Sequence, residues 1–161
     1  MKFYNTKDDF IAFLRQFDSK VAENKNQTRP YVGIVLEVNS IKYYAPFSSP
    51  KAKHKKMKNG KDFRKINNGI YGAINFNNMI PVLDSALVEI DIANIQDVQY
   101  RRLLQNQYNS IKADEKNILK TAQNLRQLIF EDENNISEHD KIIKQRCCNL
   151  PLLEEKYSEW K

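Results

Sequence analysis

Hydrophobic positions change period along this chain, from alternation and short apolar runs in the first half to a 3.6-residue repeat in the second. Phe10, Phe13, Leu14 and Phe17 recur at three- and four-residue spacing, which predicts an amphipathic helix over residues 7–18. Just ahead, Thr6-Lys7-Asp8-Asp9 reads as a capping box, with the Thr6 hydroxyl and the Asp9 carboxylate covering free N–H groups. The polar stretch from Glu23 to Thr28 has no period and reads as a loop. Tyr31 to Val38 is β-branched and mostly apolar, a buried strand. Asn39-Ser40 turns the chain, and Ile41 to Phe47 returns as its hairpin partner. Pro46 cannot donate to a ladder, so this strand is expected to end or reach an edge just before Ser48.

Gly69 to Phe76 and Met79 to Val82 read as a third strand and a short fourth. Ala86 to Ile92 alternates as a half-buried strand. After Asp97 the period becomes helical. Leu104, Tyr108 and Ile111 form one stripe, and Ile118, Ala122, Leu125 and Ile129 form another. Lys112 to Glu115 between them predicts a bend, hence two helices whose stripes pack the core. Glu133 to Ser137 is a loop, followed by a lysine-bearing helix to Arg146. A last helix runs from Leu152 to Trp160, started near Pro151 and packed down by Trp160. Strands first and helices last, with short turns between strands, predict an α+β fold. The expected core is an antiparallel or mixed sheet with helices packed on it, in a single domain over residues 1–161.

Charge sharpens this picture because it is concentrated. Residues 51–65 (KAKHKKMKNGKDFRK) hold eight of the chain's 26 Lys/Arg and one of its 20 Asp/Glu, a local charge of +7. The rest of the chain carries 18 basic and 19 acidic side chains. A polyanion docking here would release condensed counterions, and nucleic acid is the leading candidate. An anionic membrane is the weaker one, because only Met57 and Phe63 in the run are apolar. No apolar run approaches the length of a membrane span, and the N-terminal MKFYNTKDDF lacks the apolar core of a secretory signal, so the expected location is cytoplasmic. Cys147 and Cys148 are adjacent and read as small buried hydrophobes. His54 and His139 are too far apart in sequence to suggest a zinc site, and neither metal nor cofactor is expected.

Chemistry is concentrated where the second strand runs into the basic segment, at Ser48, Ser49, Lys51, Lys53 and His54. Metal-free RNA cleavage needs little more than such a set. The substrate's own 2′-OH is the nucleophile, and the protein positions the backbone, manages two protons and neutralises charge growing on phosphorus. Serine hydroxyls suit the phosphate, lysine suits the charge, and histidine or a perturbed lysine suits proton transfer. Each such electrostatic contact supplies about 3 kcal/mol in a transition state. Tyr43, Tyr44 and Phe47 have faces on which bases stack, but alternation lets at most one of the two tyrosines reach RNA. Without the serines, the same lysines would describe a non-catalytic nucleic-acid-binding module.

The order of short motifs along the chain carries a resemblance. MKFY with a Phe-rich helix is followed by Arg29-Pro30-Tyr31-Val32-Gly33-Ile34-Val35-Leu36-Glu37 and Lys42-Tyr43-Tyr44-Ala45-Pro46. Then come Ser48-Ser49-Pro50-Lys51 with His54, Ala73-Ile74-Asn75-Phe76, Met79-Ile80-Pro81 and Leu152-Leu153-Glu154-Glu155-Lys156-Tyr157. Together they resemble the ToxN/AbiQ family of type III toxin–antitoxin endoribonucleases, which also includes CptN. The resemblance implies a strongly twisted antiparallel sheet flanked by helices, of Kid/MazF-like architecture. It implies metal-independent cleavage in adenine-rich RNA that leaves 2′,3′-cyclic phosphate and 5′-hydroxyl ends. It also implies inhibition by a small repeat RNA folded as a pseudoknot, which the toxin cuts from a precursor and with which it forms a closed hetero-oligomer. Cellular and phage RNA are the implied substrates, and abortive infection is the implied role.

Residue by residue, the resemblance assigns phosphate and charge-stabilising roles to Ser48, Ser49 and Lys51. It adds His54, three residues after the motif lysine, and Arg29, where the family often has lysine. Arginine keeps the charge there but does not readily serve as a base. Phe10 stands where some members have a site tyrosine. Lys53, Lys55, Lys56, Lys58, Lys61, Arg64 and Lys65, together with Tyr31, are the expected RNA contacts.

Overall fold

A computed structural model describes all of residues 1–161. In chain order the strands are β1 (Lys2–Thr6), β2 (Tyr31–Val38), β3 (Ile41–Ser48), β4 (Phe63–Lys65), β5 (Ala73–Asn75), β6 (Ile80–Pro81) and β7 (Leu87–Glu89). The helices are α1 (Asp8–Arg15), α2 (Ala52–Lys56), α3 (Val98–Ala113), α4 (Glu115–Phe130), α5 (Glu138–Arg146) and α6 (Leu150–Lys156). The seven strands form one sheet in the order β4-β5-β3-β2-β1-β7, with β6 also paired to β3, and every pairing is antiparallel. The α+β expectation holds, with the sheet antiparallel throughout.

The β2–β3 hairpin is the centre of the sheet, so Pro46 is neither at an edge nor at the strand's end. On the side away from β2, β3 pairs first with β6 (Tyr43↔Pro81, Tyr44↔Ile80) and then with β5 (Phe47↔Ile74, Ser48↔Ala73). Pro46 falls between these two partners, where no ladder on that side asks for its missing N–H. The strand therefore stays paired as far as Ser48, and the residues that follow leave a fixed point.

Three local expectations fail for identifiable reasons, and one short strand was not expected. Thr6 ends β1 rather than capping α1, and its buried hydroxyl donates to Asn24 Oδ1 at 2.9 Å. The capping box therefore does not form, Lys7 occupies the cap position, and the helix is shorter than 7–18. The expected strand over 69–76 contracts to Ala73–Asn75, because Asn67, Asn68, Gly69 and Gly72 have φ of 46°, 54°, 87° and 98° and make a compact turn. Left-handed backbone favours Asn and Gly, and a strand cannot pass through it. Strand β4 lies inside the basic run, where charge conceals the period.

One cluster of 30 buried hydrophobic residues joins the sheet to α1, α3, α4, α5 and α6. Leu104 and Ile111 of α3, with Ile118, Ala122, Leu125 and Ile129 of α4, are buried as their stripes predict, and the chain bends at Asp114. Arg126 of α4 donates to the Tyr43 hydroxyl at 3.2 Å and to Glu154 of α6 at 2.9 and 3.0 Å, tying two helices to the hairpin. Trp160 meets Phe10 edge to face at 5.3 Å. Cys147 and Cys148 are buried and unbridged, and burial pushes the Cys147 thiol up to about 12. No helix is long and apolar enough to cross a membrane.

Candidate active site

Where β3 ends, the chain borders an open cleft of about 650 Å³. Its lining comes from parts of the chain far apart in sequence: the loop before β2, the segment from the end of β3 into α2, the β4–β5 region, α3 and the last residue of α5. Ser48, Ser49, Lys51, His54 and Arg29 all line this space, together with Lys53, one of the expected RNA contacts. Ser48 is half-buried and fixed in register, whereas Ser49 and Lys51 are exposed.

The backbone of this segment is held closely from beneath. At Gly72 an added Cβ would lie 1.9 Å from the Ser48 carbonyl oxygen, and at Gly69 one would lie 2.7 Å from the carbonyl carbon and oxygen of His54. The turn between β4 and β5 thus supports both the serines and α2 by backbone contact that only glycine permits.

His54 is held by the backbone of its own segment. It is 2% exposed, and its Nδ1 accepts the Lys51 backbone N–H at 3.2 Å while its main-chain N–H donates to the Lys51 carbonyl at 3.0 Å. Burial, reinforced by the ammoniums of Lys51 and Lys53, lowers its pKa below the ordinary imidazole value. A neutral ring whose Nδ1 is already accepting cannot take a proton without releasing Lys51. The arrangement makes His54 the group that fixes where Lys51 leaves the strand. A folded-state pKa below the unfolded one means that the unfolded chain binds more protons as pH falls. The resulting stability is present above the ordinary histidine value and is lost on acidification through the folded pKa. His54→Gln, which keeps an acceptor without a titrating ring, is expected to reduce the fall in urea midpoint between pH 7.5 and pH 5. An unchanged pH slope in that variant would refute the assignment.

The loop before β2 is a built wall rather than a featureless linker. Lys25, Asn26 and Gln27 have φ of 49°, 56° and 61°, and Asp8 Oδ1 holds the turn by accepting from Asn24 Nδ2 at 2.6 Å and Gln27 N–H at 2.9 Å. Arg29 is anchored through Nε to the Glu23 carbonyl at 2.6 Å. Opposite, Arg146 donates to the Asp62 carboxylate through Nε at 2.5 Å and Nη2 at 2.8 Å. Asp62 is buried, while the Arg146 side chain is 53% exposed along the cleft. The lining therefore holds five cations, Lys25, Arg29, Lys51, Lys53 and Arg146, and one carboxylate, which Arg146 already pairs.

Only part of the basic run faces this space. Lys51 and Lys53 line the cleft, but Lys55, Lys56 and Lys58 are exposed outside its lining. Lys61 pairs with Asp140 at 2.6 Å, and Arg64 pairs with Asp114 through Nε and Nη2. Lys65 and Arg64 border a separate hollow of about 340 Å³. Lys51 and Lys53 thus border the cleft directly, and the other lysines and Arg64 of the run lie outside its lining. Tyr31 is misplaced as an RNA contact, because it is 0% exposed in the core. Tyr43, Tyr44 and Phe47 are likewise buried, and Phe10 is a core residue.

Sequence reasoning missed Lys25, Thr28, Asn75, Asn77, Tyr100, Gln107 and Arg146 as cleft residues. For Gln107 a signal existed: an amide on the same helical face as Leu104 and Ile111 must be buried with them. For Arg146 nothing local distinguishes it from other helix-end arginines.

The same fold occurs in known toxins. The family described as "Toxin ToxN, type III toxin-antitoxin system" matches residues 2–158. Endoribonuclease ToxN of Pectobacterium atrosepticum is 32% identical over 170 residues, covering 99% of this chain and 94% of that protein. Endoribonuclease AbiQ of Lactococcus lactis subsp. lactis is 30% identical over 168 residues, covering 97% and 87%. A toxin structure from a type III system with selective toxin inhibition by a non-coding RNA pseudoknot superposes with a TM-score of 0.86 at 32% identity, covering 98% and 96% of the two chains. The structure of AbiQ, a lactococcal anti-phage endoribonuclease, superposes with a TM-score of 0.79 at 26% identity over 98% and 96%. Fold and sequence thus place the chain among RNA-cleaving toxins of type III toxin–antitoxin systems. It belongs to the ToxN family and is an endoribonuclease.

Proposed function

We propose that this toxin, acting as one domain over residues 1–161, cleaves adenine-rich RNA without a metal ion and leaves 2′,3′-cyclic phosphate and 5′-hydroxyl ends. It processes a repeat RNA whose pseudoknot then occupies the same cleft, in a closed toxin–RNA assembly that restrains it in the cytoplasm until phage infection. The observation that carries the chemistry is the company Ser49 and Lys51 keep. They stand at a rigid strand end among five cations, beside a single carboxylate that Arg146 already engages. Ammonium and guanidinium groups at such a site can take over the charge stabilisation a metal would otherwise supply. In this reading the substrate 2′-oxygen attacks phosphorus, the P–O5′ bond breaks, a base receives the 2′ proton and the departing oxygen gains one. The Ser48 and Ser49 hydroxyls hold the phosphate, and Lys51 and Arg29 neutralise the pentavalent state. Inhibition by pseudoknot RNA and the anti-phage role are supported by relatives for which those properties are stated.

The products test the reaction directly. Cleavage is expected to persist in EDTA, to yield 5′-hydroxyl fragments with cyclic phosphate termini, and to stop when the scissile nucleotide carries a 2′-hydrogen. Fragments with 5′-phosphates, or a requirement for Mg²⁺, would mean a hydrolytic metal mechanism instead.

A further inference from the structure

Gln107 is a buried polar residue with an unusual satisfaction pattern. It is 2% exposed on α3, where Leu104 and Ile111 pack the core, yet it borders the cleft beside Ser48 and Ser49. Its Nε2 donates to the Tyr71 carbonyl at 2.8 Å and lies 3.5 Å from the Ser48 carbonyl, while its Oε1 is buried without a partner. Two carbonyls facing one amide end fix its orientation, since turning the amide over would set oxygen against oxygen. An unpartnered buried acceptor is destabilising, and a methionine of similar length would fill the same space without it, though it would take from the Tyr71 carbonyl the donor it now has. Packing alone therefore does not account for a glutamine here.

We propose that Gln107 is a positioning residue for the cleavage reaction, acting through the Ser48 main chain, an inference that rests on the proposed role of the two serines. The Ser48 carbonyl is held between two elements. Gly72 lies so close that a Cβ there would be 1.9 Å from its oxygen, and the Gln107 amide approaches it from α3. The same amide holds the Tyr71 carbonyl, one residue before Gly72, so one side chain ties the end of β3 to the turn beneath it. That link limits rotation of the Ser48–Ser49 peptide and fixes the direction in which the Ser49 hydroxyl enters the cleft. Small errors in such a direction reduce the rate of a bound substrate's reaction more than its binding.

The test is Gln107→Met, with Gln107→Glu as the isosteric companion and Ser49→Ala measured in parallel. For Gln107→Met we expect kcat to fall at least tenfold per active site with KM within twofold, and a melting temperature within a few degrees of the parent. For Gln107→Glu, only the protonated acid can donate to the Tyr71 carbonyl, so its kcat relative to the parent should rise as pH is lowered. If Gln107→Met does not fold, the pH profile of Gln107→Glu decides, and a flat ratio overturns the inference. Unchanged kcat in Gln107→Met overturns it, as does a raised KM at unchanged kcat, which would mean direct contact with RNA. A lower active fraction with parental kcat per active site would mean a purely structural role. An inert Ser49→Ala beside a fully active Gln107→Met removes only this inference, whereas an undiminished Ser49→Ala removes the serine role and the inference with it.

Discussion

Lys51→Ala is expected to abolish growth arrest and to slow RNA cleavage by about a hundredfold or more, with the fold intact. The side chain is exposed at the cleft edge, and its removal opens no cavity in the core. The Lys51 groups that position α2 are main-chain ones: its N–H reaches His54 Nδ1, and its carbonyl accepts the His54 N–H. Alanine keeps both, so the variant loses an ammonium and little else. Removing one donor aimed at developing charge typically costs about 3–4 kcal/mol of transition-state stabilisation, which sets the size of the effect. Stability should barely change, because exposed charges contribute little to it. Single-turnover cleavage and thermal melting on the same preparation separate the two. A folded Lys51→Ala protein that still arrests growth without its RNA would sink the assignment of Lys51.

How much of this site was legible in the sequence depended on the length of the elements that build it. The β2–β3 hairpin and the α3–α4 pair show a period over enough residues to be read, and they fixed the surroundings of Ser48 correctly. Strands of two or three residues, such as β4 and β6, offer too few positions for any period, and the expected strand from Gly69 takes in the end of a turn, with Gly69 and Gly72 both at positive φ. Charge was legible as a quantity but not as a place. Residues 51–65 are contiguous in sequence, yet α2 points successive lysines in different directions. Asp114 at the α3–α4 bend and Asp140 of α5 engage Arg64 and Lys61. The cleft instead gathers Lys25, Arg29 and Arg146, separated along the chain and joined only by sheet pairing and helix docking. Side chains that hold others in position were the least visible. Asp8 shapes the loop that carries Arg29, and Asp62 fixes Arg146, but each reads in sequence as an ordinary surface acid.

Gly72→Ala is expected to disable the enzyme as thoroughly as the loss of Lys51, although Gly72 carries no functional group. Two separate penalties meet there. With φ at +98° the backbone lies where an L side chain is strained, by roughly 1–2 kcal/mol. The new Cβ would also stand 1.9 Å from the Ser48 oxygen, 3.0 Å from its carbonyl carbon and 3.1 Å from the Ser49 carbonyl carbon. These are main-chain atoms, so no rotamer change relieves the overlap. Either the end of β3 moves away from β5 or the turn refolds, and both displace the serines from the cleft floor. The expected loss of stability is about 2–4 kcal/mol, in the range of strained or overpacked sites, with cleavage lost in the fraction that still folds. Gly60→Ala is the control. Gly60 is exposed, its nearest neighbour to an added Cβ is Asp62 Oδ1 at 3.9 Å, and that substitution should leave both the denaturation midpoint and the cleavage rate at parental values. A Gly72→Ala protein that melts and cleaves like the parent would show that Ser48 does not depend on the turn beneath it.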